Sequence, residues 1–120
     1  MSRILMVASE ATPFAKTGGL ADVIGALPAA LNAAGNETAV VMPRYRQIPY
    51  HETASAYDNL RLFAGPHAWS VDIRTLVHKG VRFYFVEHPH LFDRDGLYAQ
   101  RAFDFWDNHR RFAVLALAAL

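Results

Sequence analysis

An α/β fold on a parallel sheet is predicted by three features of the chain. These are a short apolar run, Ile4-Leu5-Met6-Val7-Ala8, a glycine pair opening an amphipathic stretch, and a second apolar run ending at Met42-Pro43. The first run is short and apolar on both sides, the pattern of a buried strand. Leu20, Val23, Ile24, Leu27 and Leu31 then recur at i, i+3, i+4, i+7 and i+11, the stripe of a helix with one apolar face. Gly35-Asn36 supplies its stop signal. Pro28 lies inside this helix and removes one i→i−4 bond, which predicts a kink or local break near Ile24. Glu37-Thr38-Ala39-Val40-Val41-Met42 reads as a second buried strand, ended by Pro43. Strand, helix and strand at this spacing form a parallel pair with a right-handed crossover.

The next stretch, Arg44 to Tyr57, is polar and irregular, with Pro49 and three tyrosines, Tyr45, Tyr50 and Tyr57. It reads as a loop with room for one short helix. Leu60-Arg61-Leu62-Phe63 is a weak strand, and Trp69 to Val77 alternates well enough for a longer one. Lys79-Gly80 makes a hairpin turn into Val81-Arg82-Phe83-Tyr84-Phe85-Val86, the most strand-like run in the chain. These three segments predict an antiparallel hairpin insertion that feeds back into the parallel sheet. Pro89 ends the last strand, and Asp93-Arg94-Asp95-Gly96 is a turn cluster. A final helix is expected from about Ala102 onward, with Asp104 in its acidic first turn and Phe103, Phe105, Trp106 and Phe112 as its core face. The chain closes on the apolar run Phe112 to Leu120 without Gly, Asn or Pro, so residues 1–120 are expected to be an incomplete domain of a longer protein.

Composition bounds the function. Hydrophobic residues make up 52% and charged residues 19%, a balance that supports a packed core and excludes disorder. The net charge of +1 offers no electrostatic case for nucleic acid or an anionic membrane. With no cysteine, disulfides and thiolate metal sites are excluded. No apolar segment reaches the length of a signal-peptide core or a bilayer span, so the chain is read as soluble and cytoplasmic.

The chemistry concentrates where the first strand gives way to the first helix. The leading amides of a helix have no partner inside it, and the helix dipole adds partial positive charge there. Gly18 and Gly19 carry no side chain to block approach, and Lys16 adds a mobile cation just ahead of them. Together they can hold a diphosphate without a metal. The other reading, a tight turn beside a solvated lysine, stays open on these residues alone. Neither G-x-G-x-x-G nor G-x-x-x-x-G-K-[ST] is present. Glu10 faces the same edge and either orients Lys16, contacts a hydroxyl or is an exposed loop carboxylate, the last being favoured. Asp22, in the first helical turn, complements the dipole as a surface acid. His88-Pro89-His90 is the single metal-like spacing, and with no further ligand pair no metal site is expected.

Lys16-Thr17-Gly18-Gly19-Leu20-Ala21-Asp22-Val23-Ile24-Gly25-Ala26-Leu27-Pro28 resembles the N-terminal signature of bacterial glycogen synthases and plant starch synthases. The likeness continues in Ala8-Ser9-Glu10, Met42-Pro43-Arg44-Tyr45, Phe92-Asp93-Arg94-Asp95-Gly96-Leu97-Tyr98, Asp107-Asn108 and Arg111-Phe112. It implies the first part of a GT-B glycosyltransferase, with two Rossmann-like domains around a cleft. The implied reaction moves glucose from ADP-glucose to the non-reducing end of an α-1,4-glucan such as glycogen, with retention. ADP-glucose and the glucan are then the partners, and no cofactor is implied. Lys16 becomes the lysine that contacts the donor diphosphate and glucose region, Gly18 and Gly19 lie beside the phosphates, and Asp22, Tyr98 and Glu10 fall near the donor cleft. The segment alone is expected to be inactive. Two departures stand out: Glu87 replaces an aspartate before His-Pro, and Ala99 follows Tyr98 where glycine is usual. The alternatives are a non-catalytic nucleotide-sugar-binding module, a GT-B enzyme with another sugar donor, and a dinucleotide oxidoreductase, the last weakened by the missing fingerprint.

Overall fold

The computed structural model describes residues 1–100 and 103–120. Strand β1 (Arg3–Val7) leads through a loop into helix α1 (Gly19–Ala33) and strand β2 (Glu37–Pro43). The two strands pair in parallel, with Arg3 opposite Glu37 and Val7 opposite Val41, as the strand-helix-strand pattern requires. Helix α1 ends where Gly35 N–H bonds the Asn32 carbonyl and Asn36 N–H bonds that of Leu31, a Schellman closure.

Three longer strands follow a short 3₁₀ turn at Tyr50–Glu52: β3 (Ala54–Ala64), β4 (His67–His78) and β5 (Val81–Glu87). The sheet order is β1-β2-β5-β4-β3. Strand β5 is parallel to β2 and antiparallel to β4, and β4 is antiparallel to β3. The expected hairpin insertion is therefore present, with each of its strands longer than predicted. Lys79 and Gly80 both take positive φ, 50° and 76°, as the type I′ turn of a two-residue hairpin demands.

The chain then runs through α2 (Pro89–Phe92), the two-residue strands β6 (Ala99–Gln100) and β7 (Phe103–Asp104), and α3 (Asn108–Ala119). Leu5, Val41, Ile73 and Tyr84 lie on the sheet face beside Ala118 and Ala119 of α3. Strand alternation puts Phe83 and Phe85 on the opposite face, where the Phe14 ring meets both edge-on at 4.8 and 5.2 Å. The loop carrying Phe14 is tied to α1 by the Thr12 N–H bond to the Ala21 carbonyl.

Five expectations about the fold need correction. Strand β1 is not buried: it lies at the sheet edge, and Leu5 and Val7 are exposed. Helix α1 turns Ala21, Ile24 and Pro28 inward and leaves Leu20, Val23 and Leu27 in solvent. The preceding loop packs closely on this helix: a Cβ on Gly25 would lie 2.9 Å from the Thr12 carbonyl oxygen. Helix α1 also runs unbroken past Pro28, so no break occurs near Ile24.

The last helix starts at Asn108, and Asp104 lies in β7 instead of a first helical turn. Ala102, the expected start, lies outside the described residues. The aromatic group is divided as well. Phe112 and Phe105 are half-buried, while Phe103 and Trp106 are among the most exposed side chains. The Asp107 carbonyl accepts the amides of Arg110 and Arg111, opening the helix there. Its carboxylate is held by Arg94 at 2.5 and 2.6 Å.

That ion pair is almost wholly buried, and the Arg94 bonds hold the Asp107 carboxyl below the usual carboxylate range. Its contribution to stability is therefore complete above about pH 4 and is lost as the pH falls through the depressed value. Asp107→Asn in the intact protein should lower stability at pH 7 by about 3 kcal/mol, since it strands a buried guanidinium. Thermal unfolding of both proteins from pH 7 to pH 3 checks this: the gap should narrow on acidification, and a constant gap excludes the assignment.

Candidate functional site

The carboxyl ends of β1, β2 and β5 face the same edge of the sheet, because all three run parallel. The loops leaving them converge. After β1 come Ser9 and Glu10, after β2 comes Tyr45, and the segment after β5 brings Tyr98 back across the edge. Helix α1 begins among them.

Glu10 is the centre of the cluster. It is 2% exposed, so it is not the exposed loop carboxylate favoured from sequence. Its Oε2 accepts the Thr17 hydroxyl at 2.6 Å and the Tyr98 hydroxyl at 2.8 Å, and its Oε1 accepts the Gly18 amide at 3.2 Å. It does not orient Lys16. Burial acts to raise the Glu10 pKa, but the bonds from Thr17, Tyr98 and Gly18 outweigh it and leave the carboxyl below its ordinary value.

The neighbouring hydroxyls form a directed chain. The single phenolic proton of Tyr98 goes to Glu10, so the 2.6 Å contact with Ser9 Oγ has serine as the donor. The Tyr45 hydroxyl donates to the Ser9 carbonyl at 2.6 Å, closing the three loops on one another. Burial foremost raises the pKa of both tyrosines, so both stay protonated and able to donate.

The predicted site residues divide into two sets. Gly18 and Gly19 are exposed, and nothing stands within 4 Å of where a Cβ would be built on either. Neither has a φ in the left-handed range; Gly18 sits at −164°. What glycine supplies at this turn is therefore open space. The Gly18 amide is committed to Glu10, while those of Gly19 and Leu20 begin the helix and have no intrahelical partner. Lys16 Nζ reaches both oxygens of Asp22 at 2.9 Å, and both side chains are more than half exposed. Asp22 is thus a surface acid near the helix start, as expected, and the lysine bond foremost lowers its pKa.

Tyr98 is anchored by its own main chain as well. Its carbonyl accepts the Phe105 amide at 3.0 Å and the Asn108 side-chain amide at 2.9 Å. Two residues upstream, Gly96 has φ +118°, and a Cβ there would lie 2.2 Å from the Ala99 carbonyl oxygen, so only glycine fits.

His88 and His90 sit with ring centroids 6.5 Å apart, Pro89 opens α2 between them, and no group of three metal-binding side chains occurs among the described residues. Glu87, one of the departures, pairs with Arg44, which donates to both its oxygens and to the Ile48 carbonyl. That bond ties the end of β2 to the end of β5. Sequence reasoning missed Thr17, Ser9 and Tyr45 as members of the cluster. The one local signal was a hydroxyl residue directly before the glycine pair.

An open helix start at the carboxyl edge of a parallel sheet is the half-fold with which doubly wound proteins hold nucleotides. Residues 3–120 match the family model described as the starch synthase catalytic domain, and the chain belongs to that family. A glycogen synthase from Jannaschia sp. is 45% identical over 123 residues, covering 99% of this chain and 25% of that protein. One from Anaeromyxobacter dehalogenans is 48% identical over 120 residues, covering 98% and 24%. The chain therefore spans about a quarter of the length of these curated relatives. Among solved structures, the catalytic domain of starch synthase IV from Arabidopsis thaliana, bound to ADP and acarbose, matches with a TM-score of 0.80. That match has 25% identity and covers 97% of this chain and 24% of the other.

The Glu10 network makes a prediction about two substitutions. Glu10→Ala orphans the Gly18 amide and the hydroxyls of Thr17 and Tyr98 and should destabilise the intact protein by about 2–3 kcal/mol. Glu10→Gln should lose less, because its oxygen can keep the Gly18 amide while the two hydroxyls reverse to accept from its NH₂. Denaturant unfolding of the two variants decides the matter, and equal losses exclude the hydroxyl reversal.

Proposed function

We propose that the protein carrying this chain is a glucosyltransferase that moves glucose from ADP-glucose to the non-reducing end of an α-1,4-glucan, with retention at the anomeric carbon. Residues 1–120 form the first part of its N-terminal Rossmann-like domain. The further length present in the relatives supplies the second domain and the facing wall of the cleft. The protein works in the cytoplasm, and neither nucleic acid nor membrane is a partner.

One observation carries this reading: the open helix start at Gly18-Gly19, with Lys16 beside it, on the carboxyl edge of the parallel sheet. Glycogen synthase relatives and a similar catalytic domain bound to ADP and acarbose support the donor and acceptor classes. The donor diphosphate lies against the amides of Gly19 and Leu20. Lys16 leaves Asp22 for it, which costs little because an exposed ion pair contributes little. Asp22 holds the lysine ready between turnovers. Gly18 acts through its position, since Glu10 holds its amide, and Tyr98 borders the site as the brace of Glu10. As the glycosidic bond breaks, negative charge grows on the departing diphosphate, and prepositioned amides plus one cation stabilise it.

Lys16→Ala in the intact protein should lower kcat/KM for glucose transfer from ADP-glucose by about 100-fold or more. Its Tm should not change, because the side chain is exposed. Turnover close to that of the unaltered enzyme removes the diphosphate role. Gly19→Val serves as a second probe. The fold has room for the added side chain, yet it covers the amide edge, so KM for ADP-glucose should rise about tenfold.

A further inference from the structure

Far from the donor edge in strand order, β3 lies at the margin of the sheet, with no strand beside it among the described residues. Its two halves differ. Near its start the register against β4 shifts between Ser55 and Tyr57 and again between Tyr57 and Leu60. Asn59 takes φ 57° there, and its amide bonds the Asp72 carboxylate at 2.8 Å. Irregularities of this kind blunt an edge. From Leu60 to Ala64, by contrast, each residue stands opposite its partner in β4 without interruption.

The regular half has its outward groups fixed by the turn. Ala64 and His67 flank the two-residue link Gly65-Pro66, and Gly65 at φ 60° suits the first position of a type II′ turn. The pair flanking such a turn exchanges ladder hydrogen bonds. Antiparallel alternation then points the main-chain N–H and C=O of Arg61 and Phe63 away from β4. The side chains of these two residues share one face of the sheet, and both are exposed, Phe63 at 66%.

We propose that this edge is a homodimer interface, where β3 of a second copy pairs antiparallel about a two-fold axis through Leu62. In that register Arg61 stands opposite the partner's Phe63, and Phe63 opposite the partner's Arg61. Each such pair exchanges both main-chain hydrogen bonds, so every outward group is used. Each also sets a guanidinium against an aromatic ring, a favourable contact that the symmetry doubles. Neighbouring registers do worse. An axis through Arg61 opposes two guanidiniums, and one through Phe63 sets Arg61 against the turn residue Gly65. Behind the two side chains the small residues Ala68 and Ser70 leave a depression of about 220 Å³, room for the partner's Phe63 ring. The irregular start of β3 keeps the pairing short, and a two-fold contact closes on itself. The product is a dimer that uses up the edge, and a contact below about 1,200 Å² makes it a reversible one.

Sedimentation velocity of the intact protein over a concentration series, without nucleotide or glucan, is the test. The unaltered protein should pass from monomer to dimer as concentration rises. Phe63→Lys sets a lysine against the partner's Arg61 and should raise the dimer Kd about tenfold or more, with Tm unchanged. Adding Arg61→Glu to that variant turns both repulsions into ion pairs and should restore the dimer, whereas Arg61→Glu alone should weaken it. A protein that stays monomeric up to about 1 mM overturns the interface. So does a dimer that Phe63→Lys leaves intact, or one that the double variant does not recover. A Tm lowered by several degrees in Phe63→Lys overturns it as well, because the protein's own further length then covers this edge.

Discussion

A buried carboxylate holds this edge of the molecule together. Water has been removed from Glu10, so its two oxygens must be satisfied from inside, and donors from three separate positions meet that demand. Two belong to the loop before α1. The third, Tyr98, arrives 88 residues later along the chain. Since the carboxyl stays ionised at neutral pH, moving any of the three segments leaves a charge without its partner, a large penalty in a dry site. Geometry at the helix start is thereby coupled to geometry in the segment after β5. A single acid sets where Gly18 points and where Tyr98 stands.

The second acid beside this helix start behaves differently, and the contrast gives the site its working order. Asp22 is exposed and holds Lys16 in a pair that solvent screens. Glu10 is fixed, while the lysine is exchangeable. Prepositioned dipoles stabilise developing charge without reorganising, and the locked turn fits that part of the proposed reaction. In the role proposed for Lys16, a cation that must release a product gains from being loosely held. Had the lysine been paired to Glu10, as one sequence reading allowed, it would have been trapped in a buried bond and unable to travel.

The parts of the fold that sequence reveals are those governed by local period. Both parallel strands, the crossover and the Lys79-Gly80 hairpin follow from patterns a few residues long. The inward face of α1 does not. Hydrophobicity points to Leu20, Val23 and Leu27, but the inward residues are Ala21, Ile24 and Pro28, and the preceding loop lies so close that Gly25 has no room for a Cβ. The start of α3 was hidden for another reason: the carboxylate at Asp107 is taken by Arg94, 13 residues upstream, and no window around Asp107 contains that partner. The same applies to the site. Lys16, Gly18 and Gly19 are legible as a cluster in sequence, whereas the burial of Glu10 depends on a tyrosine in another loop.

Residues 91–98 contain little regular structure, yet they carry Tyr98 to a fixed place, and Arg111 explains how. Its side chain is fully buried and donates to the carbonyls of Leu91 and Leu97 at 2.5 and 2.7 Å and to Asn108 Oδ1 at 2.9 Å. No carboxylate faces it directly, since Arg94 takes both oxygens of Asp107. The charge is met instead by carbonyl dipoles and by the rings of Phe92, Phe105 and Phe112, each within 5.6 Å. Burial lowers the Arg111 pKa, but a guanidinium starts so high that it remains charged. These bonds do for an irregular segment what a ladder does for a strand: they satisfy carbonyls that would otherwise be orphaned. A loop so held is bonded directly to the helix behind it. Tyr98 is therefore positioned from behind by α3 through Arg111 and Asn108, and from in front by Glu10, and the turn at Gly18 is tied to the same carboxylate.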